Sequence, residues 1–255
     1  MLTADERASF ADKGWLVVRG VIDADRIQQL KTALDTIIPE ARYASGYRGR
    51  VVEIASISRG SSEIEKNTRD PRLTRLAAAA LGVDRLRLFQ DTAFIKPASG
   101  GGGVEWHQDF SYFAFFERPC ALTLRLALTP CTIKSGCLRV ISGSHSWGLQ
   151  SGDLSFRAAR VDDALGGLSP ELRARAASNE ATIELAPGDV SLHHCLTFHS
   201  SQENQDTSPR KTLAIRYMEA DLRVVIERLP SKEALARLAP DAEGRLGGEM
   251  FPLVL

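Results

Sequence analysis

Residues 106–113 read "WHQDFSYF" and directly follow a run of four glycines. His107 and Asp109 stand two positions apart in this stretch, with large apolar residues on both sides. An imidazole or a carboxylate that is buried without a partner costs several kcal/mol on apolar-transfer scales. The stretch therefore predicts that something, such as a metal ion or another polar group, satisfies both side chains.

A strand would place His107 and Asp109 on one face, because residues i and i+2 of a strand point the same way. Joined by a distant histidine, they would form the 2-His-1-carboxylate triad that holds non-haem Fe(II) and leaves coordination positions open. The pair alone is a weak indication, since a histidine often hydrogen-bonds to a neighbouring carboxylate with no metal present.

The candidate third ligand lies in "PGDVSLHHCLTFHSS", residues 187–201. If this segment is one strand from Val190, His193 and His199 share a face and His194 takes the other. Arg210 follows His199 by eleven positions, at the start of the next predicted strand. An arginine there can bind a carboxylate bidentately, which is what a 2-oxo acid co-substrate requires.

The composition is that of a soluble globular protein, with 255 residues, 44% apolar and 25% charged. The formal net charge is zero, which favours neither nucleic acid nor an anionic membrane surface as a partner. The four cysteines lack the paired spacing of a zinc site, and the acidic N-terminus does not resemble a signal peptide. We expect a cytoplasmic protein with reduced thiols and no membrane span.

Hydrophobic periodicity divides the chain into a helical first third and a strand-rich remainder. Helices are predicted over 3–13, 23–37 and 71–82, and residues 38–69 are expected to be an irregular lid. Residues 149–180 are expected to be a helical insertion. Strands are predicted over 15–21, 85–96, 121–130, 137–144, 181–189, 190–200 and 211–220. The pattern predicts a mainly β barrel or jelly roll, with helices packed outside it.

Several segments together resemble the phytanoyl-CoA dioxygenase family of Fe(II)/2-oxoglutarate oxygenases. They are "FADKGWLVVRGVI" (10–22), "FQDTAFIKP" (89–97) leading into "WHQDFSYF", "SGCLRVISGSHSWG" (135–148) and the histidine segment that ends eleven residues before Arg210. The resemblance implies one cupin-like double-stranded β-helix domain over residues 1–255. Its helical part would be 1–82 and its core about 85–220.

The resemblance also implies the chemistry. It assigns His107, Asp109 and His199 to iron, and Arg210, Ser201 and Thr92 to 2-oxoglutarate. O2 would be consumed, succinate and CO2 released, and a small, polar organic molecule oxidised, most simply by hydroxylation. Oxidative cyclisation or desaturation stays open as an alternative outcome, and so does a catalytically silent jelly roll that only binds metal or ligand. Gln90, Tyr112 and Arg48 are candidate substrate contacts.

Arg125 departs from the family pattern. It stands in "LTLRLAL", where many relatives carry a tryptophan near the co-substrate, and an unpaired buried arginine is costly. One interpretation is a contact to 2-oxoglutarate or to the substrate. The other is a structural salt bridge to Asp91 or Glu184. The roles of His193 and Lys96 stay open.

Overall fold

The computed structural model describes residues 1–38, 51–150, 165 and 167–255. The N-terminal helices begin and end where the sequence predicts. In helix α1 (Ala4–Lys13), Thr3 and Glu6 form a reciprocal capping box, and Gly14 ends the helix at φ 75°. Helix α4 (Pro71–Leu81) starts with proline after Asp70 and ends at Gly82.

The remaining helices of the described residues are α2 (Ala24–Ile37), α3 (Ser62–Thr68), α5 (Pro170–Ser178) and α6 (Lys232–Leu238). The strands are β1 (Trp15–Val18), β2 (Val52–Ala55), β3 (Leu86–Lys96), β4 (Val104–His107), β5 (Ala121–Ala127), β6 (Leu138–Ile141), β7 (Glu180–Ile183), β8 (Val190–His194), β9 (His199–Ser201) and β10 (Arg210–Glu219).

The strands form two antiparallel sheets that face each other as a jelly roll. The larger sheet has the order β1-β8-β5-β10-β3-β2, and the smaller has the order β4-β9-β6-β7. Strands that are distant in the chain lie side by side in both sheets, as in the double-stranded β-helix that the sequence predicts. The mainly β fold is thus confirmed.

The alternation of residues along β5 decides which side of the larger sheet is the interior. Leu122, Leu124 and Leu126 are buried in the same apolar cluster as Leu30 of α2 and Leu73 of α4. Each buried leucine contributes about 2 kcal/mol through the hydrophobic effect. Because neighbouring side chains point to opposite faces, this contact turns the other face of β5 towards the smaller sheet.

Two sequence expectations about local structure are wrong. Residues 190–200 are not one strand: β8 belongs to the larger sheet and β9 to the smaller, with a turn between them. The described part of the expected lid, 51–69, is ordered as β2, a 3-10 turn and α3. The strand predicted over 15–21 is present as β1, and β1 and β2 form the two edges of the larger sheet.

The described residues of the expected helical insertion at 149–180 include one helix, α5, and Glu180 begins β7, while residues 151–164 and 166 lie outside the described residues. The C-terminal segment, which the sequence did not assign, runs back along β3. Leu86 and Leu255 bond through their backbones, and so do Leu88 and Pro252. In the described part of the chain, the helices are too short or too polar to cross a bilayer.

Candidate iron and 2-oxoglutarate site

Polar side chains line the inner face of the larger sheet in rows that follow the strand register. The row at one end is formed by Gln90, Arg216, Thr123 and His193. Two residues further along the strands, the next row is formed by Thr92, Ala214, Arg125 and Ser191. At the far end of β10, Arg210 lies opposite Lys96. The register therefore brings side chains from four strands into one interior.

His107, Asp109 and His199 converge at the first row. One ligand atom from each lies within 4.8 Å of the other two. The Nε2 atoms of both histidines are 3.8 Å from Oδ1 of Asp109. The sequence predicts that His107 and Asp109 lie on one strand. In the structure, β4 ends at His107, and Asp109 starts a 3-10 turn (Asp109–Tyr112). His107 pairs in register with His199 across the smaller sheet.

The histidine rings are held so that Nε2 faces the centre. Nδ1 of His107 lies 2.8 Å from the Glu105 carbonyl oxygen, and Nδ1 of His199 lies 2.9 Å from that of Thr197. A backbone partner at Nδ1 keeps its proton there and leaves Nε2 free to bind a metal. Burial lowers the pKa of both histidines, so they are neutral at pH 7.

Asp109 is ionised although it is fully buried. Burial alone would raise the pKa of its carboxyl, but the Arg216 guanidinium and the histidines His199 and His193 hold that pKa well below its ordinary range. Two neutral imidazoles and one carboxylate are the protonation states that a divalent metal needs. The donor set therefore fits Fe(II) with three protein ligands and open positions.

Three further residues hold Asp109, and sequence reasoning gave none of them a role. Thr123 Oγ1 donates a 2.5 Å hydrogen bond to Oδ2, and Arg216 Nη2 donates a 3.2 Å bond to Oδ1. His193 Nε2 lies 3.4 Å from Oδ2. Strand parity could have identified two of them as inward-facing. Thr123 lies on the same face of its strand as Arg125, and Arg216 lies on the same face as Arg210.

Arg210 lies at the opposite end of the interior and is buried. Its Nη1 donates to the Gly136 carbonyl oxygen, whereas its buried Nε has no hydrogen-bond partner among the described residues. Ser201 and Thr92 are also buried and line the same cavity. A buried guanidinium with a free donor, close to hydroxyl groups, fits a carboxylate.

Arg125 lines the cavity between these two ends. Its Nη2 donates a 3.2 Å bond to Thr212 Oγ1, and its guanidinium lies 5.0 Å from the centre of the Phe94 ring. Burial and then the nearby Arg210 lower its pKa to about 10. The salt bridge considered for Arg125 is not formed.

Both acids considered for that salt bridge have other partners. Asp91 accepts hydrogen bonds from the backbone N–H and the hydroxyl of Ser58. Glu184 accepts from the backbone N–H of Ile133. The co-substrate or substrate role of Arg125 stays a prediction.

The cavity has a volume of about 1020 Å³ and opens between the strands and the C-terminal segment. Aromatic side chains from three parts of the chain line its outer half, namely Phe89, Phe113, Phe115 and Phe251. Phe89 packs edge-on against Phe113, with ring centres 5.3 Å apart, and stacks on Phe251 at 5.9 Å. These rings form an apolar wall on one side of the cavity.

Of the candidate substrate contacts, two lie in the cavity. Gln90 accepts a 3.1 Å hydrogen bond from Arg216, and Tyr112 stands edge-on to the His107 ring, with 55% of its surface exposed. Arg48 lies outside the described residues.

Lys96, whose role the sequence left open, and His194, which the sequence excluded as a metal ligand, both lie outside the cavity lining. Lys96 is buried behind the Arg210 end, where its Nζ donates to the Gln202 carbonyl oxygen. Burial lowers its pKa to about 6. His194 faces away from His107, Asp109 and His199, as its strand parity predicts, and its ring lies 5.6 Å from that of His145.

A sequence model of the phytanoyl-CoA dioxygenase (PhyH) family matches residues 10–212. The chain is 29% identical over 166 residues to a probable alpha-ketoglutarate-dependent hypophosphite dioxygenase of Stutzerimonas stutzeri. That alignment covers 62% of this chain and 54% of the relative. The chain is also 25% identical over 237 residues to the ectoine dioxygenase of Sphingopyxis alaskensis, an alignment that covers 85% and 76% of the two chains.

A solved structure adds a three-dimensional comparison. The epimerase SnoN, in complex with Fe³⁺, alpha ketoglutarate and nogalamycin RO, superposes with a TM-score of 0.76 at 26% identity. The superposition covers 98% of each chain. The similarity therefore extends over the whole jelly roll and its helices.

Proposed function

This chain belongs to the phytanoyl-CoA dioxygenase family, and we propose that it hydroxylates a small organic molecule at iron held by His107, Asp109 and His199. It is an Fe(II)- and 2-oxoglutarate-dependent oxygenase that acts on small molecules. The observation that carries the ligand assignment is the convergence of one donor atom from each of these three buried or half-buried residues within 4.8 Å.

The proposed roles of the remaining residues follow from their positions along the interior. Bound Fe(II), with O2 and 2-oxoglutarate, supplies the oxidising chemistry, and the co-substrate leaves as succinate and CO2. Arg210 binds the distal carboxylate of 2-oxoglutarate through its guanidinium fork, and Ser201 and Thr92 add hydroxyl contacts. Arg125, between Arg210 and the iron ligands, contributes a second cation to the same dianion or to the substrate.

The protein's other contributions are orientation and the exclusion of water. Thr123 and Arg216 hold the Asp109 carboxylate, so that its Oδ1 faces the two histidines. The phenylalanines of the outer cavity provide a dry wall beside the reacting centre. Gln90 and Tyr112 supply polar groups that can orient a substrate, which supports a polar molecule as the substrate.

Other reaction outcomes on the same scaffold are distinguishable. Asp109 argues against halogenation, because iron halogenases of this type carry a small residue in place of the carboxylate ligand. Ring closure and desaturation remain alternatives, and the similar SnoN is named as an epimerase. A hydroxylated product gains one oxygen atom, a cyclised or desaturated product loses two hydrogens, and an epimer keeps its mass. The mass of the product therefore separates hydroxylation, the loss of two hydrogens and epimerisation from one another. A cytoplasmic location remains a prediction from the sequence.

The test of the ligand assignment is anaerobic reconstitution with Fe(II) and 2-oxoglutarate, followed by exposure to O2. Wild-type protein should retain iron and release succinate. His199→Ala should lose both iron retention and succinate release, because it removes one of three ligands. His194→Ala is the matched control, since that histidine is in the same segment but faces away. Full iron content and activity in His199→Ala would remove His199 from the site.

A further inference from the structure

We propose that the substrate carries an oxyanion, either a carboxylate or a phosphorus oxyanion, that binds to Arg216 and Gln90 beside the iron ligands. The inference rests on the proposed function, because it concerns the charge of the molecule that enters the same site. It assigns a specificity-determining role to Arg216 in addition to the contact that this residue makes with Asp109.

Arg216 lies on the inner face of β10, in the row nearest the iron ligands, and it lines the cavity. Only 14% of its side chain is exposed. Nη1 donates to Gln90 Oε1 at 3.1 Å, and Nη2 donates to Asp109 Oδ1 at 3.2 Å. Two fixed partners orient the guanidinium plane, while a guanidinium has five N–H donors in all. Donors thus remain for a ligand in the cavity.

The charges of the deep part of the cavity do not balance without an anionic substrate. Among the described residues, three arginines line it, Arg125, Arg210 and Arg216, against two carboxylates, Asp91 and Asp109. Fe(II) and the 2-oxoglutarate dianion cancel each other. Burial lowers the pKa of Lys96, which lies opposite Arg210 in the strand register, to about 6, so that Lys96 adds little positive charge at pH 7. One positive charge is left over, and a buried charge without a counterion is costly.

The unbalanced positive charge lies at Arg216. Arg210 and Arg125 face the part of the cavity that the co-substrate dianion occupies in the proposed function, whereas Arg216 is in the row of Asp109. When iron is bound, the Asp109 carboxylate interacts with a dication, so it no longer serves as the counterion of Arg216. A substrate oxyanion would take over that role. A guanidinium fork matches the geometry of carboxylate and phosphate oxygens.

The mouth of the cavity does not select for charge. In the part of the chain that the structure describes, as many arginines as glutamates line it, namely Arg59, Arg69 and Arg237 against Glu53, Glu65 and Glu249. Long-range attraction of anions to this balanced rim is therefore weak. Discrimination between an acid and a neutral molecule of the same shape should depend on the interior, and chiefly on Arg216.

The test compares acids with their neutral amides on the complete enzyme. The protein is loaded anaerobically with Fe(II) and saturating 2-oxoglutarate, and binding is measured by calorimetry. The probes are phenylacetate against phenylacetamide, butyrate against butyramide, and phosphite as the phosphorus oxyanion. At least one anion should bind about tenfold or more tightly than the neutral amides. Whether phosphite or a carboxylate binds better identifies the kind of oxyanion.

Variants of Arg216 test whether this residue causes the preference for the anion. Arg216→Gln should abolish the preference for the anion, whereas Arg216→Lys, which keeps the charge, should retain part of it. Arg237→Gln, at the exposed rim, is the matched control and should leave the preference as in the wild type. An equal preference in wild type and Arg216→Gln would overturn the assignment to Arg216.

The wild-type comparison decides the inference even if Arg216→Gln fails to fold or to hold iron. If wild-type protein binds iron and 2-oxoglutarate and releases succinate, but no anion binds better than the neutral amides, the inference is wrong and the proposed function stands. If wild-type protein binds neither iron nor 2-oxoglutarate, the proposed function itself fails, and the inference fails with it.

Discussion

Thr123 donates a 2.5 Å hydrogen bond from its hydroxyl to Oδ2 of Asp109, and both residues are buried. The bond links the middle of β5, in the larger sheet, to the turn that follows β4, in the smaller one. It occupies Oδ2, whereas Oδ1 lies 3.8 Å from Nε2 of both His107 and His199. Thr123 is therefore a positioning residue for a proposed iron ligand.

Thr123→Val should weaken iron binding by about 10–100-fold, because residues that orient a metal ligand have effects of this size. Valine keeps the shape of threonine and removes only the hydroxyl. The measurement is the dissociation constant for Fe(II) under anaerobic conditions. Thr74→Val is the control: its hydroxyl is buried in α4 without a hydrogen-bond partner among the described residues, far from the site. Equal iron affinity in both variants would contradict the role of Thr123.

Arg210→Lys should raise the KM for 2-oxoglutarate at least tenfold. The positive charge is kept, but the two parallel N–H donors of the fork are lost, and a charged hydrogen bond is worth about 1.5–3 kcal/mol. Steady-state succinate release at varied 2-oxoglutarate measures the effect. Arg139→Lys is the control, because Arg139 lies over the Trp106 ring and pairs with Glu180, outside the cavity lining. An unchanged KM would mean that another cation, such as Arg125, binds the distal carboxylate.

Arg125→Trp should keep the fold and iron binding and change the affinity for co-substrate or substrate. The replacement introduces the residue type that the family resemblance implies at this position, and it removes a cation from the interior. We expect 2-oxoglutarate to bind several-fold more weakly if Arg125 contacts it, by the loss of about one charged hydrogen bond. Calorimetry with 2-oxoglutarate and with the acids named above separates the two ligands. If the variant binds 2-oxoglutarate and these acids with wild-type affinity, Arg125 contacts neither ligand, and its role is limited to its contacts with Thr212 and Phe94.

Lys96 should make the stability of the metal-free protein depend on pH. Burial lowers its pKa from 10.5 in the unfolded chain to about 6 in the folded one. Between these values the folded state binds fewer protons, so the free energy of unfolding should rise with pH, by at most about 1.4 kcal/mol per pH unit from this group. Lys96→Met should reduce the slope that urea unfolding measures between about pH 7 and pH 9.

The control for this slope is Lys66→Met, since Lys66 is exposed on α3 and pairs with Glu63. Its replacement should leave the pH dependence of unfolding close to that of the wild type. If Lys96→Met has the wild-type slope as well, Lys96 is protonated in the folded state, and its positive charge adds to that of the interior.

Local patterns in the sequence predicted much of the architecture. The capping box at Thr3, the proline and glycine at the ends of α4, and the alternation of leucine with Thr123 and Arg125 are all found in the structure. These features depend on backbone geometry and on burial over a few neighbouring residues. Short-range physics therefore accounts for the helix ends and for the inward direction of Arg125.

The sequence predicted that the proposed iron ligands converge, but the strand parity on which it relied is only part of the reason found in the structure. Strand parity placed His107 beside Asp109 and His193 beside His199, although Asp109 is in a turn and His199 is in another sheet than His193. His193 nevertheless reaches the site, with its ring 4.3 Å from that of His199. The turn between β8 and β9 crosses from one sheet to the other, which no local periodicity reveals.

The sequence by itself determined the mainly β fold with outer helices, the family, and which titratable residues are candidates for iron and 2-oxoglutarate. Only the tertiary structure decided that Thr123 and Arg216 contact Asp109, that Arg125 has no carboxylate partner among the described residues, and that the C-terminal segment walls the cavity with Phe251. The physical reason is distance along the chain. These contacts join strands and segments whose register is set by the packing of the two sheets, so they exist only once both sheets have formed.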